Sequence, residues 1–159
     1  MAKHKIASGS FARPANTVQY AAGDIVANSV TAGSVVPVAL AAGVPNHRGV
    51  VNRVRLFKSG VSLVASAFRV HLFERLPTSA AGDNAAISVN GRLARHIGSV
   101  DLTIATAHSD GAGAIAAPAS TTVYEADGAG QLYALVEARD TYTPVSGETF
   151  AVTLEVTRD

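Results

Sequence analysis

The 159-residue sequence predicts an all-β protein: a single-domain β-sandwich, jelly-roll-like, behind an extended N-terminal arm. Three observations lead there. Apolar residues recur at every second position wherever a pattern is clear, as they do when one sheet face is buried and the other wet. Turn-forming residues separate these short runs. Strands do not alternate with long helical patterns, which argues against an α/β fold.

The clearest strand spans Glu148 to Arg158, where Phe150, Val152, Leu154 and Val156 alternate with Thr149, Thr153, Glu155 and Thr157. Four more runs follow the same rule. Phe68, Val70 and Leu72 alternate with Arg69 and His71. Val100, Leu102 and Ile104 alternate with Asp101 and Thr103. Leu132, Ala134 and Val136 alternate with Tyr133, Leu135 and Glu137. Val50, Val54 and Leu56 alternate with Arg53 and Arg55, with Asn52 out of phase. Shorter candidates are Thr17–Tyr20, Asp24–Ala27, Val35–Leu40 and Thr122–Glu125. Pro37 places the third of these at an edge or bulge, since proline has no N–H for the ladder. Turn signals stand at Ala22-Gly23-Asp24, Ala42-Gly43, Pro45-Asn46, Ser59-Gly60, Gly82-Asp83-Asn84, Asn90-Gly91, Asp127-Gly128 and Ser146-Gly147. The Ala-rich stretch Pro77–Ile97 leaves room for a helical turn at Asp83–Ser88 or Asn90–His96. Thr106–Thr121 is almost all small residues and reads as a long exposed loop. Residues 1–12 form the arm and 13–159 the sandwich domain.

Composition narrows the function. The net charge is +1 with no run of like charges, so the basic stripe of a nucleic-acid surface is missing. Lys3-His4-Lys5 is the densest basic spot and reads as a solvated arm. Cysteine is absent, which excludes disulfides and thiolate metal sites. No apolar run approaches the roughly 20 residues of a membrane span, and the N-terminus lacks a signal-peptide core. The expected site of synthesis is the cytoplasm.

A search for catalysis finds no constellation. The histidines His4, His47, His71, His96 and His108 show no metal-ligand spacing. His71 reads as a polar residue on a sheet face. No G-x-S-x-G elbow is present. Gly111-Ala112-Gly113-Ala114 lacks the following helix of a dinucleotide loop. Gly82-Asp83-Asn84 has too few acids for calcium and reads as a turn. No enzyme activity, metal or cofactor is expected. Arg53, Arg55 and Arg69 point away from the apolar side of their strands. Were those strands neighbours, the three would form an interfacial basic patch.

The ordered motifs resemble one family. Ala12-Arg13-Pro14-Ala15-Asn16-Thr17, Tyr20 and Gly23-Asp24 resemble the opening of a group of small tailed-phage structural proteins. Phe68-Arg69-Val70-His71-Leu72-Phe73, Pro77-Thr78 and Asp83-Asn84-Ala85-Ala86 are similar to its central block. Ile97-Gly98-Ser99-Val100-Asp101 resembles a following strand, and Leu132-Tyr133-Ala134-Leu135-Val136-Glu137 with Tyr142-Thr143-Pro144 its closing segment. The resemblance runs from about Arg13 to the end and implies a virion component without catalytic residues. Capsid decoration (cement) is the first expectation: a protein on the capsid surface that binds the major capsid protein and itself, favouring a homotrimer. It implies no direct contact with nucleic acid or membrane. A tail, baseplate or fibre-attachment protein is the second expectation, and a carbohydrate-binding sandwich the third. The arm Met1–Phe11 would add a strand or tether to a neighbour, or stay disordered. Candidate interface residues are Lys3, Lys5, Phe11, Arg13, Arg53, Arg55 and Arg69.

Overall fold

The computed structural model describes residues 2–158; Met1 of the expected arm and Asp159 of the expected domain lie outside them. The strands are β1 (Lys3–Ala12), β2 (Ile25–Val26), β3 (Val38–Leu40), β4 (Arg48–Lys58), β5 (Ala67–Phe73), β6 (His96–Thr103), β7 (Thr106–His108), β8 (Gly111–Ala116), β9 (Thr122–Glu125), β10 (Leu132–Ala138) and β11 (Thr149–Arg158). The larger sheet runs β1-β11-β4-β8-β7, with β9 also on β4. The smaller runs β2-β10-β5-β6, with β3 also on β10. No helix is present among the described residues.

The pairing order is that of a rolled hairpin. The first strand pairs with the last (β1 with β11), β2 and β3 pair with β10, β4 with β8 and β9, and β5 with β6. Rolling this ribbon brings β11 onto β4 and β10 onto β5, which closes the two sheets over one core. That is a jelly-roll-like sandwich; the alternating runs by themselves led to a sandwich and left its topology open. Val54, Leu56, Phe68, Val70, Leu72, Val136, Val152 and Leu154 fill the space between the sheets.

Four expectations change. The segment Lys3–Ala12 is ordered rather than loose: it lies along β11 of its own sheet, so one edge of its backbone is committed to an intramolecular ladder. Thr17–Tyr20 is not a strand; Tyr20 instead turns its ring into the core. Thr106–Thr121 contains β7 and β8 rather than one long loop. Its small residues are required by close approach: a Cβ at Gly113 or Gly111 would collide with the Phe57 ring. β10 has no wet face. The excursion between β5 and β6 folds over it, and Ala81, Ala94, Ile87 and Val89 cover Phe73, Tyr133 and Leu135 in a second cluster. Within that excursion Asn90–His96 makes one helical turn, the Ala94 N–H donating to Asn90 O at 3.0 Å. Asn52 is out of phase because a β-bulge lies there: Glu155 faces Arg53 while Val156 faces Val51. The extra residue sends Val51, not Val50, into the core.

Candidate functional site

Two candidate interface residues belong to the interior. Arg13 is buried and reaches Asp83 at 2.9 Å, while its Nε donates to the Tyr20 hydroxyl. The Tyr20 hydroxyl and the Ala27 N–H both donate to the other Asp83 oxygen, at 2.6 and 2.8 Å. Burial first, then the Asp83 carboxylate, pushes the Tyr20 phenol up. The motif residues Arg13 and Tyr20 thus make one internal lock with the sequence-distant Asp83, which leaves Arg13 unavailable to a partner. Phe11 is half-buried and stacks on Phe150 at 5.7 Å. A second lock sits under the β4–β5 turn. Lys58 donates to Gly60 O and Ser62 O at 2.9 and 2.6 Å, with Glu148 at 3.7 Å. Burial pulls the Lys58 ammonium down. Nothing in the strand pattern marked Lys58, because a lysine at an inward position of β4 reads as a phase error until the carbonyls that cage it are placed.

The outer face of the larger sheet is the uncovered one. Arg53 and Arg55 project there beside Glu155, Arg55 through two nitrogens and Arg53 at 3.9 Å. Arg69 does not join them. It stands on the smaller sheet, donating in a fork to Asp101 at 2.7 and 2.9 Å. The three-arginine patch therefore does not form, since β4 and β5 belong to different sheets. Around Arg53 and Arg55 the larger sheet exposes Ile6 (63%), Phe57 (39%), Ile115 (59%) and Val123 (64%). Phe57 stacks on His108 at 5.8 Å. Lys3 is exposed at the start of β1 opposite Arg158, and Lys5 is half-buried opposite Val156.

The smaller sheet's outer face carries a polar chain across β6, β5 and β10. Glu137 is buried; burial raises its carboxyl, but hydrogen bonds from His71 and Arg139 outweigh that and hold it below the usual range. With His71 neutral, its Nε2–H donates to Glu137 at 2.6 Å. Its Nδ1 then accepts from the Ser99 hydroxyl at 2.9 Å, which in turn accepts from His96 Nε2 at 3.1 Å. Burial and the neighbouring His71 pull His96 below its ordinary value. Ser99, His71 and Glu137 have the connectivity of nucleophile, base and orienting carboxylate. However, the strand around Ser99 is in register with β5, from Gly98 opposite Leu72 to Val100 opposite Val70. Ser99 therefore sits within an extended strand at the sheet edge, not on a turn that gathers amides toward its hydroxyl. The signal for this chain was in the sequence: His71 and Ser99 sit at the polar phase of adjacent strands. Pairing β5 with β6 was the missing step.

No family model matches the chain, and no curated protein matches its sequence. The resemblance to phage structural proteins thus rests on the motifs. Similar solved structures include viral capsid proteins and a putative sugar binding protein from Bacteroides thetaiotaomicron, the latter 8% identical, covering 82% of this chain and 70% of that one, with a TM-score of 0.22. The capsid of Helicobacter pylori bacteriophage KHP30 is 12% identical, covering 99% of this chain and 93% of that one, with a TM-score of 0.30. The decameric BFDV capsid protein is 14% identical, covering 100% and 99%, at 0.36. Cocksfoot mottle virus is 6% identical, covering 100% and 95%, at 0.36. Scores this low carry no argument, and the functional reading stands on the geometry.

Proposed function

We propose that this chain is a non-enzymatic capsid decoration (cement) protein, which binds the outside of a phage shell and bridges the major capsid protein subunits beneath it. One observation carries the reading: the larger sheet offers a broad, uncovered face that mixes exposed Ile6, Phe57, Ile115 and Val123 with Arg53, Arg55 and Glu155. Aromatic and aliphatic side chains ringed by arginine are the composition of protein interfaces. A typical interface removes about 800 Å² from each partner, and one face of a molecule exposing 7406 Å² suffices. The internal locks of Arg13 and Lys58 tie loops to the sandwich, as a bridge under load requires. Many copies on a symmetric lattice add their contacts through effective concentration. A homotrimer is the state that the decoration-protein class implies, and closed cyclic symmetry of any order would shield strand edges. All four tyrosines are buried, so they supply no sugar-stacking platform, which disfavours the carbohydrate-binding alternative.

Mixing purified protein with expanded shells lacking it tests the reading. Saturable binding, many evenly spread copies and a higher shell melting temperature are expected. Binding at a single locus would favour a tail protein, and no binding would end the proposal. Labelling of Ser99 by a fluorophosphonate would overturn its non-enzymatic part.

A further inference from the structure

One end of the larger sheet holds a cleft of about 520 Å³ whose walls include Arg48, Arg95, Arg158, Glu74, Tyr124 and Val123. Its acids are already taken. Glu125 meets Arg48 Nε at 3.4 Å, Arg75 Nη2 at 3.3 Å and Arg95 Nη1 at 3.8 Å. Glu74 gives one oxygen to the Glu125 N–H at 2.8 Å and the other to Arg95 Nε at 3.1 Å. Arg158 is different: its Nε is buried and has no acceptor among the described residues. Arg158 thus brings to the cleft wall a guanidinium whose N–H donors suit a carboxylate. The Arg48 side chain is 79% exposed, so most of its fork faces water. Gly49 shapes the floor, since a Cβ there would stand 2.7 Å from the Tyr124 ring.

We infer that this cleft binds carboxylate side chains of an acidic polypeptide segment, held between Arg158 and Arg48. A guanidinium fork matches a carboxylate with two parallel hydrogen bonds. A nucleic-acid backbone fits less well: it needs a continued basic track, and the chain's net charge is only +1. The inference deepens the adhesive reading by naming the chemistry of one contact, an acidic segment of the partner. Its test does not need shells.

Fluorescence anisotropy with a labelled oligoglutamate peptide at low salt measures the site directly. The wild-type chain is expected to bind saturably. Arg158→Gln and Arg48→Gln should each weaken binding by roughly tenfold or more, as loss of a charge-assisted pair does. Arg139→Gln, an equal charge change in the Ser99 chain of the other sheet, should leave it unchanged. Arg48 is exposed, so its variant keeps the test decisive if Arg158→Gln does not fold. Absence of peptide binding, equal weakening by Arg139→Gln, or tighter binding of a single-stranded oligonucleotide than of the peptide would each overturn the inference. Shells that bind Arg48→Gln and Arg158→Gln as they bind wild type would overturn it too, while leaving adhesion by the sheet face intact.

Discussion

Replacing Asp83 by alanine would leave the Arg13 guanidinium inside the protein without its carboxylate. It would also remove the acceptor of the Tyr20 hydroxyl and the Ala27 N–H. Breaking one side of a buried pair costs about 3–5 kcal/mol, because the remaining charge stays desolvated. Asp83→Ala is therefore expected to lower the urea midpoint far more than an exposed pair such as Arg48–Glu125 would, whose loss is worth about 0–1 kcal/mol. A shift no larger than that of Arg48→Gln would show that Arg13 escapes to solvent. The ionisable groups of the smaller sheet set a pH dependence of known sign. His96 sits below its ordinary value of 6.5, so on acidification the unfolded chain takes up this proton first. Stability from His96 is therefore complete above 6.5 and falls as the pH drops through the lower folded value. Glu137 and Asp101 are also held low, Asp101 by the Arg69 fork and Glu137 by His71 and Arg139 against its burial. Their contribution is complete above the ordinary carboxylate values of 4.5 and 3.8 and is lost below them. Thermal melts should show both declines. His96→Gln should flatten the first and keep the second; an unchanged first decline would assign it elsewhere.

At the scale of the element, alternation read well where one rule governed a strand, and failed where two requirements competed. β11, β5 and the apolar phase of β10 were legible because burial on one face is a local, period-two signal. The second face of β10 was not, because its cover arrives from a distant excursion. The bulge at Asn52 showed only as a broken phase, since the partner that defines it is in β11. β8 was missed for a physical reason. Strand propensity reflects side chains packing on a pleated surface, and β8 supplies space instead. Its Gly113 lies under the Phe57 ring. The outward orientation of Arg53 and Arg55 followed from phase alone, whereas their separation from Arg69 depends on sheet membership, which no local pattern carries. Gly113→Val separates propensity from packing. Valine favours strands, but its branches would displace Phe57. The expected result is destabilisation of about 1–3 kcal/mol, typical of overpacking, measured by chemical denaturation. A gain in stability would mean that Phe57 swings away freely.

The whole molecule is asymmetric in how it treats its two sheets. The smaller sheet is thickened by the excursion between β5 and β6, and its remaining outer face is spent on contacts within the chain: the ion pairs of Arg69 with Asp101 and Arg139 with Glu137, and the hydrogen bond of His71 to Glu137. The larger sheet keeps its apolar residues in water. Exposed apolar side chains scattered singly need no explanation, but a set gathered on one flat face does. Folding does not require them outside: Ile6 and Ile115 are 63% and 59% exposed and contribute little to the core. Surface substitutions of this kind change stability by about 0.5 kcal/mol or less. If the face is adhesive, the same changes are costly in the bound state, where a lysine ammonium would have to be desolvated against the partner. Ile115→Lys and Ile6→Lys are thus expected to melt close to the wild type yet to lose at least about tenfold in affinity for shells, the equivalent of about 1.4 kcal/mol. An equal change on the smaller sheet, Thr103→Lys, should alter neither. Shell binding that survives both isoleucine substitutions would move the contact off this face and leave its exposed apolar residues as ordinary surface.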